Sequence, residues 1–272
     1  LSVRTVGLSL SMKGLMVPPS SSLSSSYFSP ERMIASSLNK LGFSVDLIEM
    51  ADRLLARVAS PELSEYFLNL HAKNNINVFC NSGVNSVDKK DKFEILIDAH
   101  GHYNVPNAIR LANNLYDRFK IGWFEEPLPP ESIKGLKQVK ENTDAPICVG
   151  ERLYTRYDFL PILENGLADY IMPDTVWTGG ISETIKIANM AETYNVPVSP
   201  HVIPGGPIEL ISAAHVVSAI PNFYRLEHSL SLMPKHNNYL KEPYKIINGE
   251  FHLNNNPGLG FELDEKKLEK LF

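Results

Sequence analysis

The sequence is poor in cysteine, has no long apolar stretch and carries no excess of basic residues. Its two cysteines, Cys80 and Cys148, match neither a disulfide framework nor a zinc-ligand spacing, which fits a reducing, cytoplasmic compartment. No apolar run reaches the ~18 residues of a membrane span. The first residues lack the sustained apolar core of a secretory signal. A net charge of -5 argues against nucleic-acid binding. We therefore predict neither a membrane partner nor a nucleic-acid partner.

By composition and pattern the chain divides into four segments. The first is rich in Ser and Pro and is predicted to be irregular after a short strand near its start. The second has the pattern helix, strand, helix, strand, with one helix at Glu31–Leu41 and another beginning at Ser60. The last contains a hairpin around Asn248-Gly249 and a short charged helix. The predicted segments are 1–30, 31–92, 93–230 and 231–272.

The third segment contains six short apolar runs that each end near an acidic or imidazole side chain. The runs are FEILID, IGWFEE, PICVGE, DYIMPD, VPVSPH and FYRLEH, and the polar residues recur every 23 to 27 positions. A strand-helix alternation of this period is typical of a parallel βα repeat. In a closed barrel of this kind the carboxyl ends of the strands meet on one face, where active sites lie. The sequence therefore predicts an α/β fold of the TIM-barrel type with one pocket lined by Asp98, Glu125, Glu151, Asp174, His201 and Glu227.

Helices are predicted between these runs from the spacing of apolar residues and from turn residues. The clearest helices are Val105–Phe119, Ile181–Tyr194 after a TGG turn, and Pro207–Ala219 after a PGG turn. Each would return the chain to the start of the next parallel strand.

Three of the pocket residues, Asp98, Glu125 and Glu151, come from consecutive strand ends. Hard carboxylate oxygens in a partly open site suit Mg²⁺, which keeps water ligands and can accept substrate oxygens. The alternative is that these buried acids are neutralised by basic residues. The shared spacing of the three acids favours the metal, and the basic residues considered for the alternative are Arg110, Lys137 and Arg152.

The remaining pocket residues are suited to proton transfer. A carboxylate next to an imidazole fixes its tautomer and raises its basicity, so Asp174 and His201 are predicted to form a general base. His100 lies two residues beyond Asp98, so strand alternation would place both on one face. Two histidines flanking one metal suit a reaction that removes a proton and then protonates a leaving group. Glu227 would bind substrate or brace the base.

Weaker roles are predicted for three neighbours of these residues. Glu126 follows a metal ligand in the sequence and is expected to support the ligands through hydrogen bonds. Arg152 and Tyr154 follow Glu151 and are expected to line the pocket and contact substrate.

Several motifs in this region resemble those of the enolase superfamily. They are DAHG, WFEEPLPPE, GERLYTRYDF, MPDTVWTGGISE, VSPH and NPGLGFE, over residues 93–272. Within the superfamily they are similar to the mandelate racemase/muconate lactonizing enzyme group, and most similar to galactonate dehydratases and related sugar-acid dehydratases. The resemblance implies Mg²⁺ on Asp98, Glu125 and Glu151, and proton abstraction next to a substrate carboxylate by His201 with Asp174. It also implies that His100 expels the 3-hydroxyl, which converts an aldonic acid to a 2-keto-3-deoxy acid.

The first part of the chain departs from this resemblance. Superfamily members carry an α+β capping domain and two βα units ahead of the strand of Asp98, and residues 1–92 resemble neither. We therefore expect a barrel that is incomplete at its N-terminus and lacks the cap. Strands near Val45 and Asn77 could add to it, but the linker NSGVNSVDKKDK offers no apolar face for a crossover helix. Leu at position 1 indicates a fragment or a processed start.

Residues 31–84 resemble a different kind of protein, the nucleotide-binding unit of FAD-dependent ferredoxin reductases. Glu49 would end its second strand and face a ribose. The glycine-rich turn that lets a pyrophosphate approach a helix is missing before Ile34, so no dinucleotide site is predicted.

The alternative functions for the barrel are a racemase or epimerase on the same scaffold, and an inactive remnant with an open barrel. An incomplete barrel would gain stability by associating with a second copy of the chain, so a homo-oligomer is a further expectation.

Overall fold

The computed structural model describes residues 2–4, 10–11, 45–48, 52–53, 60–74, 76–80, 94–202, 205–229 and 232–269. They belong to two compact units, a larger one of residues 1–10 with 94–272 and a smaller one of residues 11–93. The helix predicted at Glu31–Leu41 lies outside the described residues, and the four predicted segments stay a prediction. Among the described helices, none is both long enough and apolar enough to cross a membrane.

The elements alternate between strand and helix over most of the larger unit. The strands are β1 (Ser2–Arg4), β2 (Leu10–Ser11), β3 (Val45–Ile48), β4 (Ile76–Phe79), β5 (Leu96–Asp98), β6 (Trp123–Glu125), β7 (Ile147–Val149), β8 (Tyr170–Ile171), β9 (Ile246–Ile247) and β10 (Glu250–His252). The helices are α1 (Pro61–Lys73), α2 (Val105–Phe119), α3 (Ile133–Glu141), α4 (Thr155–Glu164), α5 (Ile181–Thr193), α6 (Pro207–Ala219), α7 (Met233–Asn238) and α8 (Glu265–Leu268).

The larger unit is built on a parallel sheet in chain order. Its strand order is β2, β5, β6, β7, β8, and β5 to β8 pair in parallel. Isolated parallel bridges from Ile171 to Val198 and from Val198 to Phe223 extend the order by two more segments. Six parallel segments therefore follow one another, and a helix lies between each segment and the next. This confirms the predicted parallel α/β fold with an incomplete barrel.

The helix boundaries follow local capping chemistry. The Asn104 side chain accepts a hydrogen bond from the Asn107 backbone N–H at the start of α2, and the helix ends where Lys120 adopts a left-handed conformation. The predicted limits of α2 and α6 are confirmed, and α5 ends one residue before the predicted Tyr194.

The interior of the parallel arc is filled by large side chains. Trp123, Cys148 and Met172, on or just after successive strands, are buried together, and Tyr170 and Tyr224 pack against them. The Tyr224 hydroxyl donates a hydrogen bond to Glu94 at 2.8 Å, and Arg225 also binds Glu94. Because Glu94 precedes β5 and Tyr224 lies on the last parallel segment, this contact joins the two ends of the six-segment arc.

A small antiparallel sheet lies beside the arc in the same unit. The hairpin of β9 and β10 turns at Asn248 and Gly249, both with positive φ, as the sequence predicts. Strand β1 pairs with β10 in antiparallel register. Residues near the start of the chain are thereby tied to its C-terminal region.

The smaller unit contains a parallel βαβ element. Strands β3 and β4 pair in parallel, and α1 connects them after the predicted cap at Ser60, whose hydroxyl accepts from the Leu63 backbone N–H. These two strands form a sheet of their own. The idea that they add strands to the barrel is therefore wrong, because in the described part of the chain they bond to each other and not to the parallel sheet of the larger unit.

Candidate active site

Three acidic side chains lie at the same end of the parallel sheet. Asp98 and Glu125 end β5 and β6 and are paired in register, and Glu151 lies two residues beyond β7. All three are largely inaccessible, with 14% of the Asp98 and 6% of the Glu151 side chain exposed and Glu125 buried. The structure thus places the three predicted metal ligands at the same, predicted end of the strands.

The next two strand ends supply a carboxylate and an imidazole in direct contact. His201 Nδ1 lies 2.9 Å from Asp174 Oδ2, and the two residues also form a parallel backbone bridge. Asp174 Oδ1 accepts hydrogen bonds from the backbone N–H groups of Val176 and Trp177 at 2.9 and 2.8 Å. These donors fix the carboxylate, so Nδ1 of His201 donates to Asp174 and Nε2 is left facing Glu151 at 3.3 Å.

His100 approaches the same carboxylate from another strand end. Its Nδ1 lies 3.1 Å from Glu151 Oε1 and 3.5 Å from Asp98 Oδ2. The expected reason for this proximity, strand alternation, is wrong because β5 ends at Asp98. The chain instead turns at His100, which has φ 50° and donates its backbone N–H to Asp98 Oδ1 at 2.7 Å.

Glu227 closes the group from the last parallel segment. Its Oε2 accepts the Val202 backbone N–H at 2.9 Å and lies 3.8 Å from His201 Nε2. Five of the six predicted strand-end side chains and His100 are therefore linked by short contacts around Glu151 and His201. The sixth, Glu125, accepts a hydrogen bond from Trp123 Nε1 at 3.0 Å.

Burial and mutual repulsion perturb the titration of these groups. Burial, and then the charges of Asp98, Glu227 and Glu151, raise the pKa of Glu125 well above its usual range. Burial raises the pKa of Glu227 to about 7. Burial alone would lower the pKa of His201, but its hydrogen bond to Asp174 and the charges of Glu227 and Glu151 raise it to about 9.

Of the three basic residues named as possible partners of the acids, Arg152 is in contact with them and the other two are not. Its Nε lies 3.1 Å from Glu151 Oε1. Arg110 bonds to Asn107 and Lys137 to Glu141, away from the strand ends. Nη2 of Arg152 is buried and has no hydrogen-bond partner among the described residues.

The two other predicted pocket residues take different positions. Glu126 is buried and its Oε1 accepts the Gly150 backbone N–H at 2.8 Å, which supports the turn leading to Glu151. Tyr154 is 55% exposed, and its ring stacks on that of Trp177 with 2° between the planes. Its described contacts lie at the rim of the strand ends rather than among the acids.

The donor chemistry of this group fits Mg²⁺. Three carboxylates from adjacent strands offer hard oxygen ligands, and a divalent cation would offset the repulsion that raises the pKa of Glu125. Within the described ranges, no three His, Cys, Asp or Glu side chains are already gathered around one point as a coordination shell. Glu151 is engaged instead by His100, His201 and Arg152.

The sequence prediction missed one buried acid in this region, Glu209 on the first turn of α6. Its carboxyl group forms a hydrogen bond with that of Asp174. The signal that could have revealed it is the composition of α6, PIELISAAHVVSA, in which Glu209 is the single acid in a mostly apolar, largely buried helix. An unpaired acid would not be buried in such a helix.

Comparison with known proteins decides the family. The family described as enolase C-terminal domain-like matches residues 84–267. The chain belongs to this family. The motif resemblance noted in the sequence is thereby confirmed. Residues 33–98 match a second family, pyridine nucleotide-disulphide oxidoreductase, in agreement with the reductase-like character of residues 31–84.

Curated relatives of this enolase-family chain are sugar-acid dehydratases by name. D-xylonate dehydratase of Haloferax volcanii is 35% identical over 66% of this chain and 43% of its own length. D-gluconate dehydratase of Thermoproteus tenax is 32% identical over 66% of this chain and 36% of its own length. The chain thus spans less than half the length of these relatives.

A solved structure shows the same relationship. A member of the enolase superfamily from Salmonella Typhimurium is 34% identical and aligns with a TM-score of 0.63, covering 67% of this chain and 46% of that one.

Proposed function

We propose that the chain carries the catalytic strand ends of a Mg²⁺-dependent sugar-acid dehydratase that converts an aldonic acid to a 2-keto-3-deoxy acid. The main support for the proposal is that two imidazoles contact the same carboxylate. His100 contacts one oxygen of Glu151 and His201 contacts the other. The names of the curated relatives support a sugar acid as the substrate.

His201 is the proposed base. Because Nδ1 donates to Asp174, the neutral imidazole presents the lone pair of Nε2, which would take the proton from the carbon next to the substrate carboxylate. The electrons of the broken C–H bond form the double bond to C3 as the C3–O bond breaks. His100, whose side chain is 40% exposed, gives a proton to the departing hydroxyl, which leaves as water. The resulting enol tautomerises to the 2-keto acid.

Asp98, Glu125 and Glu151 would hold the Mg²⁺. When bound, this ion supplies positive charge that stabilises negative charge developing on the substrate carboxylate. Arg152 is proposed to bind the same carboxylate through Nη2, which is buried without a partner among the described residues. Glu227 and Tyr154 are proposed to contact the substrate chain, and Glu126 to hold the turn that carries Glu151.

The test is turnover of an aldonate panel, including xylonate, gluconate and galactonate, by the purified chain with Mg²⁺. We expect 2-keto acid to form from at least one member. His201→Asn should abolish product, whereas His252→Asn, on the exposed face of the β9–β10 hairpin, should not. A folded wild-type chain that forms no keto acid from any member would overturn the proposal.

A racemase or epimerase is the second candidate because the same two imidazoles could exchange a proton on opposite faces of one carbon. The same panel in D₂O separates the two functions. Deuterium in recovered substrate without keto acid would favour the epimerase, and keto acid carrying deuterium at C3 would favour the dehydratase.

A further inference from the structure

Glu209 lies behind the proposed base rather than in the pocket. It is the third residue of α6, and only 5% of its surface is exposed. The flanking residues Ile208 and Leu210 are apolar, and a buried carboxyl group needs polar partners.

The partner of Glu209 is the carboxylate that orients His201. The carboxyl groups of Glu209 and Asp174 are hydrogen-bonded, and Asp174 is itself 3% exposed. Two buried carboxyl groups can form such a bond only if one of them is protonated.

The proton belongs to Glu209. Asp174 already accepts three N–H donors, from His201 Nδ1 and from the Val176 and Trp177 backbone, and these donors favour its ionised form. Burial alone would raise the pKa of Asp174, but the hydrogen bonds from His201, Trp177 and Glu209 hold it below its usual range. Burial and the bond to Asp174 raise the pKa of Glu209 to about 8.

We propose that Glu209 is a positioning residue, a neutral carboxylic acid that donates to Asp174 and fixes the carboxylate that in turn orients His201. The inference rests on the proposed function, because it assigns Glu209 to the base of that reaction. It differs from a role in stabilising the start of α6, for which an ionised acid would serve best.

The glycine-rich turn before α6 has a specific part in this arrangement. A Cβ at Gly205 would overlap Glu209 Oε2, whereas a Cβ at Gly206 would meet nothing within 4 Å. Gly205 thus leaves the room that the Glu209 carboxyl group occupies. The two adjacent glycines provide a matched pair of substitutions, because only one of them should displace Glu209.

The experiment compares Glu209→Leu, Glu209→Gln, Gly205→Ala and Gly206→Ala. Outer groups that orient a catalytic residue typically contribute about 10–100-fold to activity. We expect kcat to fall by about that factor in Glu209→Leu and Gly205→Ala with little change in KM. Glu209→Gln keeps a donor and should recover most of the loss, and Gly206→Ala should match the wild type. A further variant, Glu209→Ala, removes the carboxyl group that Gly205→Ala would displace. Adding Gly205→Ala to Glu209→Ala should therefore have no further effect on kcat.

A second readout does not depend on turnover. In ¹⁵N NMR of the histidine side chains, the Nδ1 signal of His201 should be the same in the wild type and in Glu209→Gln, and should shift in Glu209→Leu because Asp174 loses one of its donors. An unchanged kcat and His201 signal in a folded Glu209→Leu protein would overturn the inference, as would an equal loss in the Gln and Leu variants. A His201 signal that shifts in Glu209→Leu but not in Glu209→Gln, in a protein that forms no product, would contradict the proposed function and leave the role of Glu209 supported.

Discussion

Replacing Asp174 with Asn tests how the structure sets the proton on His201. The amide has nearly the shape of the carboxylate, so the change alters donors and acceptors rather than packing. The two backbone N–H groups that bind Oδ1, at 2.9 and 2.8 Å, can be satisfied only by the amide oxygen. The amide NH₂ must then face His201 Nδ1, at the position of the present 2.9 Å contact.

This orientation of the amide reverses the tautomer of the His201 imidazole. Nδ1 has to accept, the proton moves to Nε2, and Nε2 can no longer take a proton from a substrate. The opposite amide orientation would sacrifice two hydrogen bonds of roughly 1 kcal/mol each. The same exchange of a carboxylate for an amide behind a catalytic histidine costs about 10⁴-fold in serine proteases. We therefore expect kcat to fall by about 10³–10⁴, or about 4–5 kcal/mol in the barrier.

The assay is keto acid formation by wild type and Asp174→Asn, with ¹⁵N NMR to report the tautomer of His201. The free energy of unfolding should change by less than about 1 kcal/mol, since the hydrogen-bond count is preserved. If kcat of the variant is within tenfold of the wild-type value, or if His201 still carries its proton on Nδ1, then Asp174 does not set the tautomer of His201.

Three further predictions concern stability and binding. Gly101→Ala places a methyl group 2.5 Å from Arg152 Nη1 at φ 67°, so it should raise KM for an anionic substrate at least about tenfold as the guanidinium is displaced. His228 is buried, and burial lowers its pKa to about 4, so stability should fall as pH drops from 6.5 to 4. The expected loss between pH 7 and 5 is about 2 kcal/mol, measured by urea unfolding and absent in His228→Phe. Asp169→Ala leaves the Ile147 backbone N–H, now bonded at 2.7 Å, without its acceptor, and should cost about 1–3 kcal/mol of unfolding free energy.

Each of these predictions has a control. Gly166→Ala, also at positive φ but with nothing within 4 Å, should carry a similar backbone cost and leave KM unchanged. Stability falls as pH drops because the pKa of His228 is lower in the folded chain than in the unfolded one. Between these two pKa values the unfolded chain binds more protons than the folded chain. A pH dependence that persists in His228→Phe would contradict it. Glu141→Ala, which removes an exposed 3.9 Å ion pair, should leave stability unchanged, and an equal loss to that in Asp169→Ala would contradict the burial argument.

Much of the site follows from the sequence because a parallel βα repeat fixes where strand ends meet. Asp98, Glu125 and the pair of Asp174 and His201 come together for that reason alone. The limits of α2 and α6 were likewise readable from caps and turn residues.

What the sequence could not supply depends on contacts between distant elements. Glu209 reaches Asp174 only because α6 docks against the strand ends, and no local pattern encodes that docking. His100 reaches Glu151 through a turn at positive φ rather than through strand alternation. The stacking of Tyr154 on Trp177 is likewise a contact between separate loops that no local pattern specifies. The strands β3 and β4 pair with each other because parallel partners are chosen by packing, which apolar runs alone do not specify.

A thermal melt of the purified chain with and without Mg²⁺ tests whether Asp98, Glu125 and Glu151 form one cation site in the folded chain. At a Mg²⁺ concentration about 100 times Kd, binding to the folded state adds about 2.7 kcal/mol, which should raise Tm by several degrees. The shift should vanish in Asp98→Asn and persist in Asp117→Asn, a change on the exposed face of α2. A cooperative melt that Mg²⁺ leaves unmoved, or a shift that survives Asp98→Asn, would contradict the claim.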